Sequence, residues 1–119
     1  MSDDNNVLSN MLASKRLEMT NCGNLNWLID LFINELHNYL NELQKALDSG
    51  EGEALFLAAH KFKGSCSNLG AVGMVALCKQ LERLGHANDM EKAAIVMKTQ
   101  VPKQAKLLRE ALEREKQPV

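Results

Sequence analysis

The stretch ALFLAAHKFKGSCSNLG occupies residues 54–70. At about 100° per residue, its apolar side chains cluster in one sector of a helical wheel. The members of this sector are Leu55, Ala58, Phe62, Cys66 and Leu69. The pattern predicts an amphipathic helix over about 53–69 that ends at Gly70 and turns this sector towards a core. His60 lies roughly 160° from the centre of the sector, so its side chain is expected to face solvent.

Two helices are predicted before this stretch. A short helix covers about 7–17, and Gly23 breaks the pattern that follows it. Asn24 can cap a long helix that ends near Asp48, before a tight connection at 49–52. The apolar side chains of the long helix alternate in steps of three and four, at Leu25, Leu28, Phe32, Leu36, Tyr39, Leu43 and Leu47.

Two more helices are predicted after Gly70. A helix over about 72–84 is expected to direct Met74, Leu77, Leu81 and Leu84 inward. Residues 85–88 (Gly-His-Ala-Asn) are predicted to form a turn, and Asp89 is a candidate N-cap for the last helix. Pro102 lies inside this predicted last helix and should kink it or split it in two.

These amphipathic segments and short connections predict an all-α fold. The expected architecture is an antiparallel four-helix bundle with a short additional N-terminal helix. The long helix of about 25 residues would span about 37 Å. The 119 residues have the length of one domain. Residues 1–119 are therefore expected to form a single unit with an ordered core over about 7–115.

Composition excludes several classes of protein. The chain has 14 Lys and Arg against 15 Asp and Glu, a net charge of −1, so it has no basic excess for nucleic acid. No apolar run approaches the roughly 18 residues of a membrane helix. Cys22, Cys66 and Cys78 lack the paired spacing of a zinc site, and no repeated Glu-x-x-His marks a di-iron site. We expect a cytoplasmic protein with no metal site and no contact with nucleic acid or membrane.

Gly64 is unusual because a glycine inside a helix costs about 1 kcal/mol relative to alanine. It follows His60 by four residues, so the missing side chain leaves space in front of the imidazole. Lys63 follows His60 by three residues and offers a cation to an anion held there. Phe56 and Leu57 add apolar surface nearby. An accessible histidine with a positive neighbour and an apolar rim suggests a phosphoryl carrier.

The same residues resemble a known family. The motif HKFKGS at residues 60–65, then Leu69-Gly70 and LCKQLE at residues 77–82, is similar to a histidine-containing phosphotransfer (HPt) domain of two-component phosphorelays. The resemblance covers about 7–113, including helix order and lengths. Phe62 departs mildly from the Leu or Ile usual there. In this family a histidine accepts a phosphoryl group from a receiver-domain aspartate and passes it on, and the family has no kinase activity of its own.

The resemblance implies a role for several residues of this chain. His60 would be the phosphoryl acceptor, Lys63 would steady the phosphoryl oxygens and Gly64 would give access. Glu82 stands where the family often places a Gln or Glu that hydrogen-bonds the imidazole. Such a bond to Nδ1–H would fix the tautomer and leave Nε2 as the nucleophile. The sequence leaves open whether Glu82 or Gln80 makes this contact.

The resemblance also implies partners. These are the receiver domains of response regulators and of a hybrid sensor kinase. The chain could itself be the cytoplasmic end of a membrane-bound hybrid kinase. The residues expected at the docking surface are Phe56, Leu57, Lys61 and Ser67. No cofactor is expected in this chain, since the partner receiver domain would supply the Mg²⁺. The protein is expected to be a monomer.

Two other classes of function remain as alternatives. A helical adaptor could bind a receiver or kinase domain without being phosphorylated, using the apolar surface at Phe56 and Leu57. A metal-binding bundle is the third class. The other histidines suggest no site of their own, since His37 is expected at the edge of the core and His86 in an exposed turn.

Overall fold

A computed structural model describes residues 26–116 of the chain. Within this range every regular element is a helix, and none is both long enough and apolar enough to cross a membrane. The predicted short helix over 7–17 and the predicted cap Asn24 lie outside the described residues. The helices are α1 (Asn26–Ser49), α2 (Gly52–Leu69), α3 (Val72–His86), α4 (Met90–Thr99) and α5 (Val101–Arg114).

The predicted all-α bundle of four helices is confirmed, with α4 and α5 together forming the fourth. The break between them lies at Gln100, and Pro102 occupies the first turn of α5. Proline is tolerated there because the first backbone N–H groups of a helix have no partner within it. The predicted interruption at Pro102 is therefore a split. Asp89 caps α4 as predicted, since its side chain accepts a hydrogen bond from the backbone N–H of Lys92.

α2 lies between α1 and α3 and supplies much of the core. Leu55, Phe62, Cys66 and Leu69 are buried as predicted. Ala59 is also fully buried, whereas Ala58 is half-buried. The buried face of α2 is broader than the predicted sector because both neighbouring helices pack against it. Gly70 ends the helix in the left-handed conformation, with φ of 72°, which glycine adopts without strain.

The contact between the start of α2 and the end of α3 differs from the prediction. Gly85 was expected in a turn, but α3 continues to His86, and Gly52 is already the first residue of α2. The two glycines are buried against each other: a Cβ on Gly85 would lie 2.6 Å from the carbonyl oxygen of Gly52 and 2.9 Å from the backbone N of Phe56. The backbone N–H of Gly52 also donates to Asn88 Oδ1 at 3.1 Å. The glycines thus allow α2 and α3 to touch at this end of the bundle.

Candidate functional site

The centre of the candidate site is His60, in the middle of α2. Its side chain is 63% exposed, as the helical wheel predicts. Its Nδ1 lies 2.6 Å from Oε2 of Glu82 on α3. An ionised carboxylate can only accept a hydrogen bond, so Nδ1 carries the proton and donates it. Nε2 then keeps its lone pair, and no side chain within residues 26–116 forms a hydrogen bond to it.

Glu82 connects His60 to Lys63. Its side chain is only 11% exposed, and its second oxygen, Oε1, accepts a hydrogen bond of 2.8 Å from Lys63 Nζ. Burial alone would raise the pKa of Glu82, but the hydrogen bonds from Lys63 and His60, together with the positive charge of Lys63, outweigh it and hold that pKa below its ordinary value. Glu82 is therefore a carboxylate at neutral pH, with both oxygens occupied.

The orientation of α3 decides between the two candidates left open by the sequence. Glu82 follows the fully buried Leu81 and lies on the side of α3 that faces α2. Gln80 is half-buried, and no hydrogen bond joins it to His60 within the described range. Of the two, Glu82 is thus the residue that contacts the imidazole. The Gly52–Gly85 contact holds α2 and α3 close together. Because Glu82 lies one turn before Gly85, this contact keeps the distance from Glu82 to His60 short.

Gly64 lies on the exposed surface of α2 one turn after His60. A Cβ built at Gly64 would meet no atom within 4 Å. The glycine is therefore not required by packing within the described part of the chain. Open space in front of the imidazole agrees with the prediction that Gly64 gives access, although the role itself stays a prediction.

The other residues predicted to contact a partner lie around His60 in different settings. Leu57 is 57% exposed, and Ser67 is exposed. Lys61 lies on the side towards α1, where its Nζ is 3.6 Å from Glu42 Oε1. Phe56 is half-buried, and its ring stacks on the imidazole of His60 with centroids 5.9 Å apart and planes at 10°.

Three residues near the site were missed by the sequence analysis. Lys79, Arg83 and His86 of α3 line a shallow groove of about 360 Å³ together with Phe56, Lys63 and Glu82. His86 was expected in a turn. It is exposed at the end of α3, and its ring lies 5.0 Å from that of Phe56. The missed signal was the spacing from Lys79 through Glu82 and Arg83 to His86, which places all four on one face of a helix.

A larger cavity of about 490 Å³ lies between α1 and α2, but it does not include His60. Its walls are mostly apolar. Tyr39 stacks on Phe62 with centroids 5.1 Å apart, and Ser65 Oγ donates a 3.3 Å hydrogen bond to Tyr39 Oη. Glu35 also lines this cavity, but within residues 26–116 no carboxylate or imidazole forms a hydrogen bond with Ser65, so we assign no chemistry to the cavity.

The described residues bring together no group of three side chains that could hold a metal ion. Cys66 and Cys78 are free and buried, and Cys66 belongs to the sector of α2 that was predicted to face the core. The hydrogen bond with Cys78, together with burial, raises the pKa of the Cys66 thiol. Such a thiol is a poor nucleophile and a poor metal ligand. Cys22 lies outside the described residues.

Comparisons with known proteins agree with this geometry. The family model described as Hpt domain matches residues 28–117. Among solved structures, histidine-containing phosphotransfer protein B (HptB) from Pseudomonas aeruginosa PAO1 is similar, with 30% sequence identity and a TM-score of 0.76 over 89% of this chain and 90% of that one. No curated protein matches. The chain therefore belongs to the Hpt domain family, and its role is histidine phosphotransfer in a phosphorelay.

Proposed function

We propose that this protein is a phosphorelay intermediate in which His60 accepts a phosphoryl group from a receiver-domain aspartyl phosphate and passes it to another receiver domain. The observation that carries the proposal is the hydrogen bond between His60 Nδ1 and Glu82, at 2.6 Å. It holds the exposed imidazole in the tautomer whose Nε2 is a nucleophile.

In the proposed transfer, the Nε2 lone pair attacks the phosphorus of the aspartyl phosphate in line. The bond between phosphorus and the aspartate oxygen breaks, and its electron pair stays on the leaving carboxylate. The new Nε2–P bond leaves a positive charge on the ring, whose proton remains on Nδ1. The Glu82 carboxylate stabilises that charge. Onward transfer reverses these steps, with a second aspartate oxygen attacking and the N–P electron pair returning to Nε2.

Lys63 has two roles in this proposal. Its ammonium group holds one oxygen of Glu82 at 2.8 Å, which fixes the carboxylate that orients the imidazole. An ammonium group has three donors, so two remain to steady the oxygens of a phosphoryl group on the neighbouring ring. Gly64 would leave room for that group and for the surface of the partner.

The receiver domain is proposed to supply the Mg²⁺. Glu82 is the carboxylate beside His60, and its two oxygens already bind His60 and Lys63. Mg²⁺ is usually held by one or two carboxylates together with phosphate oxygens, and a receiver domain offers both. The proposal therefore assigns no kinase activity to this chain, which acts as a carrier. We further propose that it works as a monomer in the cytoplasm.

The direct test is transfer from a phosphorylated receiver domain. The wild-type chain is incubated with ³²P-labelled receiver domains from the same cell and Mg²⁺, and the H60Q variant serves as the comparison. We expect label on the wild type that is labile to acid and stable to base, and none on H60Q. Equal labelling of H60Q would overturn the proposal. Intact signalling in cells that carry H60A would instead favour an adaptor that is not phosphorylated.

A further inference from the structure

One face of α3 brings basic side chains to the edge of the site. Lys79 and Arg83 are exposed, and both line the groove of about 360 Å³ that Phe56 and Lys63 close from the side of α2. The chain as a whole has a net charge of −1. The positive charge of this groove is therefore a local feature of the surface beside His60.

The charges of the groove are unbalanced. Its walls contain three lysine and arginine side chains and a single carboxylate, Glu82. That carboxylate already binds Lys63 and His60. Neither Lys79 nor Arg83 forms an ion pair with any other residue of the described range. On the opposite side of α2, by contrast, Lys61 is paired with Glu42.

The partner proposed above has the complementary charge. An aspartyl phosphate carries negative charge itself, and the carboxylates that hold its Mg²⁺ add more. When this site approaches Nε2 of His60, we expect its rim to lie over the neighbouring surface of α2 and α3, because Phe56, Lys63 and Glu82 of the groove all contact His60 or its partner. Opposite charges on two facing surfaces raise the rate of association and fix the orientation of the partners.

We propose that the groove lined by Phe56, Lys63, Lys79, Arg83 and His86 receives the acidic rim of the receiver domain's aspartyl-phosphate site, with Lys79 and Arg83 setting the affinity. This inference rests on the proposed function and adds the specific docking residues to it. The imidazole of His60 is oriented by Glu82, so Lys79 and Arg83 act on the encounter and leave the bond-making step unchanged.

The test separates docking from chemistry. Transfer from the fastest phosphorylated receiver domain is measured as a function of the concentration of this protein, for wild type and K79E/R83E. We expect the KM of the double variant to rise by on the order of tenfold and kcat to stay within twofold. The wild-type kcat/KM should fall with added salt, and that of the variant should fall less. The milder pair K79Q/R83Q should show a smaller rise in KM.

Two controls make the result specific. K106E reverses an exposed lysine on α5, which does not line the groove, and should leave KM unchanged. Phosphoramidate is a small donor with no protein surface, so it should label His60 equally in wild type and K79E/R83E. Provided that wild type accepts label, three results would overturn the docking inference. These are a KM of K79E/R83E within twofold of wild type, a fall in its kcat alone, or an equal rise in KM for K106E. Absence of label on the wild type from every receiver domain would overturn both proposals.

Discussion

Two glycines in neighbouring helices have opposite surroundings. Gly85 on α3 is buried, and a methyl group there would lie 2.6 Å from the carbonyl oxygen of Gly52. Gly64 on α2 is exposed, and a methyl group there would meet nothing within 4 Å. The first glycine is required by the packing of two helices, whereas the second has no such requirement within the described residues. The comparison separates a glycine that builds the fold from one available for function.

The two positions are connected through the site. The contact at Gly85 brings α3 against α2, which places Glu82 within 2.6 Å of His60 Nδ1. Gly64 is predicted to leave access to the imidazole open, and a Cβ there would meet no neighbouring atom within 4 Å. A substitution at Gly85 should therefore act on the site through the distance between the helices, and one at Gly64 only through access from solvent.

G85A should have the largest effect on stability. The added methyl group collides with backbone atoms of Gly52 and Phe56, so the helices must move apart. We expect the free energy of unfolding to fall by about 2–3 kcal/mol, measured by urea denaturation. Transfer should also slow, because Glu82 is drawn away from His60. A variant as stable as wild type would show that the helices are not in contact at Gly85.

E82Q should have an intermediate effect that depends on pH. The folded chain lowers the pKa of Glu82, so its ionised form stabilises the fold fully above the ordinary value of 4.5. That stabilisation is lost as pH falls through the lower, folded value. At neutral pH we expect E82Q to cost about 1–2 kcal/mol and to slow transfer.

The pH dependence is the informative part of this comparison. The difference in unfolding free energy between wild type and E82Q should shrink as the pH falls below about 4.5. E42Q is the matched control, since Glu42 pairs with the exposed Lys61 at 3.6 Å and should change stability by well under 1 kcal/mol. A difference between wild type and E82Q that is constant down to acid pH would contradict the ion pair with Lys63 and the hydrogen bond from His60 described for Glu82.

Substitutions at Gly64 should have the smallest effect on stability. They should raise the free energy of unfolding, whereas G85A and E82Q lower it. G64A meets no neighbouring atom and removes the entropic cost of glycine, so the free energy of unfolding should rise by up to about 1 kcal/mol. Its transfer rate should stay close to that of wild type. G64Q, which has a long side chain beside His60, should fold equally well and transfer more slowly. Unchanged transfer by G64Q would show that Gly64 is not there for access.

The parts of the fold that local signals determine were predictable from sequence. Pro102, the cap at Asp89 and the end of α2 at Gly70 each depend on the backbone preferences of one residue. Gly85 was mistaken for a turn residue because glycine serves both turns and close helix contacts. Only the packing of α3 on Gly52 distinguishes the two cases.

The candidate site was predictable to a similar extent. The exposure of His60 follows from the periodicity of a single helix, and the sequence therefore predicts it. The choice of Glu82 over Gln80 depends on how α3 is rotated against α2. This rotation cannot be derived from the sequence of α3 alone. The spacing of Lys79 and Arg83 places them on the same face of α3 as Glu82, but only the same rotation shows that this face lies beside α2.

The central claim is that Nε2 of His60 receives the phosphoryl group while Glu82 keeps the proton on Nδ1. Nuclear magnetic resonance of ¹⁵N-labelled imidazoles, recorded on the chain after phosphorylation by a receiver domain, tests this directly. The account predicts coupling of phosphorus to Nε2 of His60 and a protonated Nδ1. Phosphorus on Nδ1, or on His37 or His86 in place of His60, would contradict it.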